Sequence, residues 1–422
     1  MAKVKKKEVL TLEKKLEHAL VPIDEQPYEV PKNWCWVRFE NIMHNCDYIR
    51  IPLSIKERST LEKIYDYYGA SGVIDKVDRY LFDGTRLLIG EDGANLLSRS
   101  TPIAFLATGK YWVNNHAHVL DSKSITTNEF VCNYINSIDL APFVTGSAQP
   151  KLTQDKMNSI PVPIPPLAEQ QRIVEKIESL FVKLDETKSK LEDIIEADEL
   201  RRVAILHKAF SGELTEGWRY EKGISDSSWK KMTLGDVIKV SSGKSLTAKN
   251  MCEGDIPVYG GNGINGYHNE SNIEEDTLVI GRVGFYCGVV HHILEPAWVT
   301  DNGLIVKSNK SKFDNRFLYY LLSYTDLRQN DSSTAQPVVS GSKIYPIEVS
   351  IPDMEEQIQV AMKIDDLLSL EESINNQIKN VINNIDLMKK SILAKAFRGE
   401  LGTNNPEEES SIALLKEMLE KN

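Results

Sequence analysis

The sequence predicts an α+β protein in which one unit, a mixed sheet with short helices followed by a long helix, occurs twice. Three observations lead to this prediction. Short motifs recur at a nearly constant displacement along the 422 residues. Apolar and β-branched runs broken by Gly, Asn and Asp are typical of strands and turns. Two long segments carry apolar residues at alternating steps of three and four, as helices do.

The repeat divides each unit into a variable half and a tightly specified half. Upstream motifs recur 191 residues apart, namely Tyr68-Gly69 with Tyr259-Gly260 and Leu87 to Gly90 with Leu278 to Gly281. Downstream motifs recur 187 residues apart, namely Ala148-Gln149-Pro150 with Ala335-Gln336-Pro337, Glu169-Gln170 with Glu356-Gln357, and Lys208 to Leu214 with Lys395 to Leu401. Because this period exceeds the roughly 20 to 50 residues of solenoid repeats, it predicts a duplicated pair of domains.

Composition breaks divide the chain into six segments. We predict an N-terminal helix and lead-in (1–27), a first variable domain (28–166), a central helix (167–218), a second variable domain (219–352), a distal helix (353–402) and a C-terminal tail helix (403–422). Residues 10–20 and 410–421 are amphipathic, and we expect these two terminal helices to pack together.

Each variable domain is predicted to contain a substantial sheet and one short helix. Runs such as TRLLIG and TLVIGRVG favour strands, whereas residues 128–138 and 315–324 favour helices. Each domain ends in a proline cluster, at residues 160–166 and 345–352. Because proline cannot continue a helix, these clusters predict extended connectors.

The two long segments carry a heptad seam, which favours a coiled coil of the two helices with each other. About 40 residues at roughly 1.5 Å per residue would give a rod near 60 Å, the length of roughly 18 base pairs. Gly212 and Gly399 follow the last periodic residues and predict the helix ends. A purely structural coiled coil is the general alternative, but it does not explain the variable domain before each helix. The predicted seam residues are Ile173, Ile177, Leu180, Leu184, Leu191, Ile194, Val360, Ile364, Leu367, Ile374, Ile378, Val381, Ile385, Met388 and Ile392.

No motif predicts catalysis by this chain. A DNA methyltransferase needs a glycine-rich cofactor loop and an Asp/Asn-Pro-Pro-aromatic tetrapeptide, and the sequence contains neither. Ser242-Gly243-Lys244-Ser245 looks like the end of a phosphate loop, but Ile238 stands where that motif requires glycine. We therefore expect no catalytic residues.

Metal binding and membrane insertion are not predicted either. The five cysteines are widely spaced and form no C-x-x-C pair, so we expect core thiols. His116, His118, His291 and His292 have no carboxylate or cysteine at ligand spacing. The apolar runs are too short for a membrane span, and the N-terminus is unlike a secretory signal. We expect a cytoplasmic protein without a bound metal.

The duplicated order of motifs resembles the specificity subunit of type I DNA restriction-modification systems over nearly the whole chain. The resemblance is carried by residues 146–150, by residues 165–174 with their echo at 352–357, and by residues 208–214 with their echo at 395–401. It implies two target-recognition domains joined by two helices in an antiparallel coiled coil. Each domain would bind one half of a split, asymmetric site in double-stranded DNA, and the helices would set the spacing.

The resemblance also implies partner subunits. Two methyltransferase subunits would dock along the helices and use S-adenosylmethionine to methylate adenine, and restriction/translocase subunits would use ATP and magnesium, so that this chain binds no cofactor itself. One departure is that Asp353-Met354-Glu355 replaces the Pro-Leu-Ala of the first copy, so the two docking surfaces are not simply equivalent. The alternatives are the recognition module of another restriction-modification type, a coiled-coil scaffold that does not bind DNA, and a methyltransferase, which would bind S-adenosylmethionine.

The charge balance predicts weak DNA binding by the isolated chain. Residues 28–166 and residues 219–352 each carry 14 Lys+Arg against 15 Asp+Glu, so neither variable domain is basic. Since phosphate contacts require cations, we expect the methyltransferase partners to supply much of the positive surface.

Within the variable domains we select twelve candidates for DNA contacts. Lys76, Arg79, Lys151, Lys156, Lys244, Arg282 and Lys343 are candidates for backbone or guanine contacts, with a solvated surface charge as the alternative. Tyr68, Tyr259 and Asn262 lie in tight loops, for which a hairpin with a packed tyrosine is the alternative. Gln149 and Gln336 have the chemistry to bind adenine, but their presence in both copies favours a structural role.

Overall fold

The computed structural model describes residues 11–146, 148–225, 228–330 and 337–421. The chain folds as two compact units: unit 1 combines Met1–Lys190 with Val381–Asn422, and unit 2 comprises Leu191–Asn380. Both units mix helices with sheets, which confirms the predicted α+β class. Within the described ranges, no helix combines the length and the apolar character that a membrane span requires.

The strands of unit 1 form two four-stranded sheets and a two-stranded ladder. In chain order they are β1 (Cys35–Arg38), β2 (His44–Asn45), β3 (Tyr65–Gly69), β4 (Gly72–Val77), β5 (Phe82–Asp83), β6 (Arg86–Gly90), β7 (Ala104–Ala107), β8 (Lys110–Val113), β9 (Ala117–Asp121) and β10 (Pro161–Ile164). One sheet has the order β2-β9-β6-β7 and the other β4-β3-β8-β5, in which β3 and β8 are parallel. β1 pairs with β10 in antiparallel fashion.

Unit 2 repeats this scheme. Its strands are β11 (Lys230–Thr233), β12 (Ile238–Ser242), β13 (Ile256–Gly260), β14 (Gly263–His268), β15 (Thr277–Gly281), β16 (Val290–Ile293), β17 (Trp298–Val299), β18 (Gly303–Ser308) and β19 (Glu348–Ile351). The sheets have the orders β12-β18-β15-β16 and β14-β13-β17, and β11 pairs with β19. The register shift at Tyr67/Tyr68 recurs at Val258/Tyr259, so the duplication extends to the pairing of strands.

Both proline clusters enter the sheets. The first is extended as predicted, whereas the second begins in a turn, with Tyr345 at φ −61° and ψ −32°, and becomes extended in β19. β10 contains Pro161 and Pro163, which lie opposite Arg38 and Trp36 of β1. A two-stranded ladder tolerates proline because each strand is an edge strand, where a missing N–H costs no ladder bond on the open side. Each variable domain therefore closes by pairing its last strand with its first.

The helices range from single turns to the 30 residues of α6 and the 44 residues of α12. They are α1 (Leu12–Ala19), α2 (Ile55–Ser59), α3 (Asn95–Ser98), α4 (Ile125–Ser137), α5 (Gln154–Asn158), α6 (Leu167–Glu196), α7 (Asp198–Phe210), α8 (Glu216–Lys222), α9 (Leu234–Val237), α10 (Asn315–Tyr324), α11 (Gly341–Ile344), α12 (Met354–Phe397) and α13 (Ser411–Lys421). α4 and α10 confirm the predicted short helices. α4 begins three residues earlier than predicted because the Ser124 side chain accepts a hydrogen bond from the Thr127 amide and caps the helix.

The predicted central helix, residues 167–218, is interrupted. α6 ends before Ala197, whose backbone leaves the helical region with φ −77° and ψ 2°, and α7 begins at Asp198. Asp198 and Glu199 place negative charge in the first turn of α7, where the partial positive charge of a helix N-terminus stabilises it. Gly212 and Gly399 adopt positive φ angles of 83° and 73° just after α7 and α12, which confirms the predicted glycine stops.

The long helices pair in antiparallel fashion within each unit, as the resemblance implied. In unit 1, Lys389 of α12 lies 2.5 Å from Asp185 of α6. In unit 2, Arg201 of α7 lies 2.6 Å from Glu371 of α12, and Asn375 donates to Asp198 over 2.6 Å. In unit 2, the residue number rises along one helix as it falls along the other.

The predicted seam residues occupy three kinds of position. Ile173, Ile177, Val360, Ile364, Ile378 and Ile385 are buried. Leu180, Leu184, Leu191, Leu367 and Ile392 are half-buried. Ile194, Ile374, Val381 and Met388 are exposed, with 42% to 52% of their surface accessible.

The two ends of the chain meet in unit 1. α1 packs on α13, as predicted, and the Lys15 ammonium donates to the Leu419 carbonyl over 3.0 Å. Phe397, at the end of α12, packs its ring edge-to-face on Phe130 and Tyr134 of α4, with centroids 5.2 Å and 5.1 Å apart. The core of unit 1 therefore contains residues from both ends of the sequence.

Candidate nucleic-acid interface

Three loops meet at one end of the variable domain of unit 1, here called the three-loop end. They are the β3–β4 turn, the segment after β6 and residues 145–152. The carbonyl of Ala70 in the turn would lie 2.7 Å from a Cβ atom at Gly90, so only glycine permits this approach. The Gly93 amide donates to the Pro150 carbonyl over 3.1 Å, which joins the second loop to the third.

The three-loop end recurs in unit 2 with the same backbone contacts. The carbonyl of Gly261 in the β13–β14 turn would lie 2.6 Å from a Cβ atom at Gly281. The Gly284 amide donates to the Pro337 carbonyl over 3.3 Å. The bridge between Asp92 and Lys151 in unit 1 has its counterpart in a bridge between Val283 and Val338. Within the described residues, the two variable domains therefore make equivalent backbone contacts at this end.

The third loop of unit 1 is closed tightly. Thr145 and Lys151 exchange two backbone hydrogen bonds of 2.8 Å, which hold the ends of the loop together. Gly146 has φ +83°, and a Cβ atom there would lie 2.6 Å from the Gln149 carbonyl. The Gln149 side chain is exposed and hydrogen-bonds to none of the residues that the structure describes. Its counterpart Gln336 lies outside the described residues.

Beneath this loop lies a network of charged side chains that the sequence did not predict. Arg50 contacts Glu91 at 2.7 Å and Asp47 at 3.2 Å, and Lys151 contacts Glu91 at 3.0 Å. The buried ring of His118 lies with Nδ1 2.6 Å from Asp47 and Nε2 2.8 Å from the Leu152 carbonyl. The Asp47 and His118 side chains are 71 positions apart in the chain, so no local spacing indicated the contact.

The network keeps its carboxylates ionised. Burial raises the pKa of Asp47, but hydrogen bonds from the His118 ring, the Val119 amide and Asn45 outweigh it and hold that pKa below its usual value. Burial of Glu91 is likewise outweighed by Arg50, His118 and Lys151, which lower its pKa. Asp47, Glu91 and His118 are close enough to share a cation. Arg50 and Lys151 already occupy the carboxylate oxygens, however, so the arrangement favours an ion-pair network over a metal site.

Unit 2 has the opposite charge at the corresponding place. Arg282 stands where unit 1 has Glu91, because both follow the glycine that ends the equivalent strand. Its guanidinium donates to the Ser242 hydroxyl over 3.2 Å and is half-buried. A carboxylate that is buried among cations in unit 1 therefore corresponds to a half-buried guanidinium in unit 2.

The remaining candidates of unit 1 lie in several places. The Tyr68 ring is half-buried beside Phe105 and Tyr111, as in the packed-tyrosine alternative. Lys76 of β4 lies 3.2 Å from Asp66 of β3, and Arg79 lies over the Trp112 ring. The exposed Lys156 belongs to α5. Among all the candidates of unit 1, Gln149 and Lys151 alone lie in the closed loop between Thr145 and Lys151.

The candidates of unit 2 follow a similar distribution. Asn262 is exposed at the β13–β14 turn, and Tyr259 is half-buried with its ring near His291. Lys244 is exposed after β12. Lys343 in α11 donates to the Val338 carbonyl over 3.0 Å, which connects it to the third loop.

The repeated Glu-Gln pair of unit 1 anchors the variable domain to the long helix. Glu169 is buried and accepts hydrogen bonds from the Trp34 indole at 2.7 Å and from the Asn404 amide at 2.8 Å. Gln170 accepts from the Thr127 hydroxyl at 2.9 Å and donates to the Pro165 carbonyl at 3.0 Å. Burial raises the pKa of Glu169, although these donors partly offset it.

The second Glu-Gln pair does the same in unit 2 with different partners. Glu356 accepts from the Trp229 indole at 2.9 Å and forms a buried ion pair with Arg219. Gln357 accepts from the Asp314 amide at 2.9 Å, at the N-cap of α10. The recurrence of these pairs at a fixed displacement is therefore explained by packing within each unit.

The departure at Asp353-Met354-Glu355 also has a local structural consequence. The Asp353 carboxylate accepts a hydrogen bond from the Glu356 amide over 3.1 Å and so caps α12. Glu355 is exposed and pairs with Lys222 at 2.9 Å. The first copy instead presents Leu167, which is 44% exposed, so the surfaces at the starts of α6 and α12 differ in polarity.

Comparisons with known proteins agree with this duplicated arrangement. The family model described as "Type I restriction modification DNA specificity domain" matches residues 40–197 and 226–384. A putative type I restriction enzyme specificity subunit of Haemophilus influenzae is 28% identical over 330 residues, which cover 73% of this chain and 81% of that protein. The specificity subunit of the Escherichia coli type I restriction enzyme EcoDI is 24% identical, with 84% of this chain and 88% of that subunit covered.

A solved structure shares the fold. The crystal structure of an HsdS subunit from Thermoanaerobacter tengcongensis superposes with a TM-score of 0.61 at 17% sequence identity. The superposition covers 90% of this chain and 100% of that subunit.

Proposed function

Because this chain belongs to the family of type I restriction-modification DNA specificity proteins, we propose that it recognises a bipartite, asymmetric DNA site with one variable domain for each half-site. The observation that carries the proposal is the recurrence of the three-loop end. The backbone contacts at Gly90 and Gly281 are equivalent, but the side chains beside them differ. In unit 1 the buried Glu91 is neutralised by Arg50 and Lys151, whereas in unit 2 the half-buried Arg282 donates to the Ser242 hydroxyl. Two domains that bind different half-site sequences require such a combination, with the same backbone framework and different side chains.

We further propose that the helices set the distance between the half-sites. α12 contains 44 residues, which at about 1.5 Å per residue gives roughly 66 Å of helix. That length corresponds to roughly 19 base pairs of duplex at about 3.4 Å each. A rigid helix pair defines a fixed separation at a lower entropic cost than a flexible linker of the same span.

The proposal assigns the chemistry to partner subunits. Two methyltransferase subunits would dock along the long helices and bring S-adenosylmethionine to the target adenines, and restriction/translocase subunits would bring ATP and magnesium. This chain would contribute recognition without catalysis. The even charge balance of each variable domain supports a division of labour, because the partners would then supply much of the cationic surface that holds the DNA backbone.

Mapping of adenine methylation across a genome tests the proposal. Cells would carry this chain with the methyltransferase encoded beside it, the methyltransferase alone, or this chain alone. We expect a split motif, methylated on one adenine in each half, only when both proteins are present. If no motif appears while the chain still co-purifies with its partner, the coiled-coil scaffold is the better explanation. Methylation by this chain alone would indicate a methyltransferase.

A further inference from the structure

Resting on the proposed function, we propose that Gln149 binds the adenine·thymine base pair at which a partner subunit methylates the adenine. Gln149 would thus serve the methylation step in its half-site, and it would not distinguish one half-site sequence from another.

The first argument is that packing within unit 1 does not explain the glutamine at position 149. The Glu-Gln pairs of the long helices are shared because Gln170 and Gln357 hold the variable domains in place through hydrogen bonds. The Gln149 side chain is exposed and hydrogen-bonds to no residue among those described. Its amide is therefore available to a ligand outside the chain.

The second argument is that the loop presents this side chain rigidly. The two backbone bonds between Thr145 and Lys151 and the bond from Gly93 to Pro150 fix both ends of the loop. Lys151 is tied to the charged network through Glu91. Because the backbone of the loop is already fixed, binding costs only the rotamer entropy of the glutamine side chain, so a single amide can contribute measurably to recognition.

The third argument concerns what the two half-sites have in common. Two domains that recognise different sequences need different side chains at the bases that differ. A side chain that both domains share suits a feature that both half-sites share, and under the proposed function that feature is the target adenine and its thymine. A glutamine amide pairs with N6 and N7 of adenine, and because it both donates and accepts, it can also pair with the thymine once the adenine has been rotated out for methylation.

The neighbourhood of the equivalent loop in unit 2 agrees with base extrusion. Phe285 is 88% exposed, and it lines an open cavity of about 1180 Å³ together with Pro337, the residue that follows Gln336. In unit 1, Leu97 of α3 is 50% exposed and follows Gly93, which bonds to Pro150. Exposed apolar side chains of this kind insert between base steps and unstack them.

The test uses the full chain assembled with its methyltransferase partner. Two duplexes carry the mapped site, each already methylated in one half, so that only the other adenine can react. The proteins compared are the unchanged chain, Gln149→Ala and the control Gln154→Ala, which removes another exposed glutamine at the start of α5. Methylation rates, DNA affinity and the permanganate reactivity of the target thymine are measured for each.

We expect Gln149→Ala to slow methylation in the half-site of its own domain on the order of tenfold, the effect of losing one bidentate base contact. The other half-site and the control stay within about twofold, below the effect of losing such a contact. If the thymine reacts more with permanganate in the Gln149→Ala complex than in the unchanged complex, Gln149 contacts the thymine after the adenine has been rotated out. If the reactivity is the same in both complexes, Gln149 contacts the adenine. An unaltered rate, an equal loss in both half-sites, or a changed recognition sequence would overturn the inference. Methylation of no split site by the unchanged complex would refute the proposed function itself.

Discussion

Arg219 and Glu356 form a buried ion pair in unit 2, with 2.6 Å between the guanidinium Nη1 and the carboxylate Oε1 and with side chains only 7% and 1% exposed. Removal of one partner from such a pair leaves an uncompensated charge in the interior and costs about 3 to 5 kcal/mol. We therefore expect Glu356→Gln to lower the free energy of unfolding by about 3 kcal/mol, measured by chemical denaturation.

Glu169→Gln is the matched control for this prediction. Glu169 occupies the equivalent position, but its hydrogen-bond donors are neutral: the Trp34 indole, the Asn404 amide and the Thr403 hydroxyl. A glutamine oxygen can still accept from them, so we expect a cost below about 1.5 kcal/mol, the range of a single hydrogen bond. Equal losses for the two variants would show that the ion pair contributes nothing beyond its hydrogen bonds.

The stability of unit 1 should depend on pH through Glu169. Burial raises the pKa of this carboxyl above its ordinary value of 4.5, so the folded chain holds the proton more tightly than the unfolded chain. Its contribution is present below the ordinary pKa and is lost as the pH rises through the folded value. We expect the free energy of unfolding of the unchanged chain to fall relative to Glu169→Gln as the pH rises above 4.5. A constant difference between the two from pH 4 to 8 would contradict the raised pKa.

Exchange of one variable domain tests the proposal that each variable domain recognises one half-site. Residues 28–166 would be replaced by the corresponding segment of another family member, with the anchoring Glu169-Gln170 pair left in place. We expect the methylated motif to change in one half only, because base contacts within one domain specify one half-site. A change in both halves would mean that the domains do not read independently.

The length of the helix pair should determine the spacer. Removal of residues 182–188 together with residues 386–392 deletes the contacts of Asp185 with Lys389 and of Lys188 with Asp386 as matched pairs. Seven residues correspond to roughly 10 Å, or about three base pairs, so we expect a spacer shorter by about three base pairs and unchanged half-sites. An unchanged spacer in the methylation map would rule out the helices as the determinant of length.

DNA binding should depend on the partner subunits. With 14 basic and 15 acidic residues in each variable domain, the chain alone should bind a duplex containing its site weakly. We expect affinity to rise by at least about tenfold when the methyltransferase is added, with a steeper dependence on salt, because each added phosphate contact releases counterions. Tight, salt-insensitive binding by the chain alone would contradict this division of labour.

Local patterns predicted the elements whose causes are local. The glycine stops at Gly212 and Gly399 and the helix at 315–324 follow from neighbouring residues, and all agree with the structure. The contacts of Trp34 with Glu169, 135 positions away, and of His118 with Asp47 depend on how strands and helices pack, which no spacing in the sequence encodes. The break at Ala197 was missed although its signal is local. The apolar series of the first copy stops at Ile194, and Asp198 and Arg201 stand where the second copy has Ile385 and Met388.

The meeting of the two chain ends in unit 1 has a consequence for biosynthesis. Unit 2 is continuous, so its core can be completed as soon as Asn380 has left the ribosome. Phe130 and Tyr134 are made early, but their partner Phe397 follows roughly 13 to 53 s later at translation rates of about 5 to 20 residues per second. The domain nearest the N-terminus therefore matures last, and until then its apolar surface is open to chaperones and to premature contacts with neighbouring nascent chains.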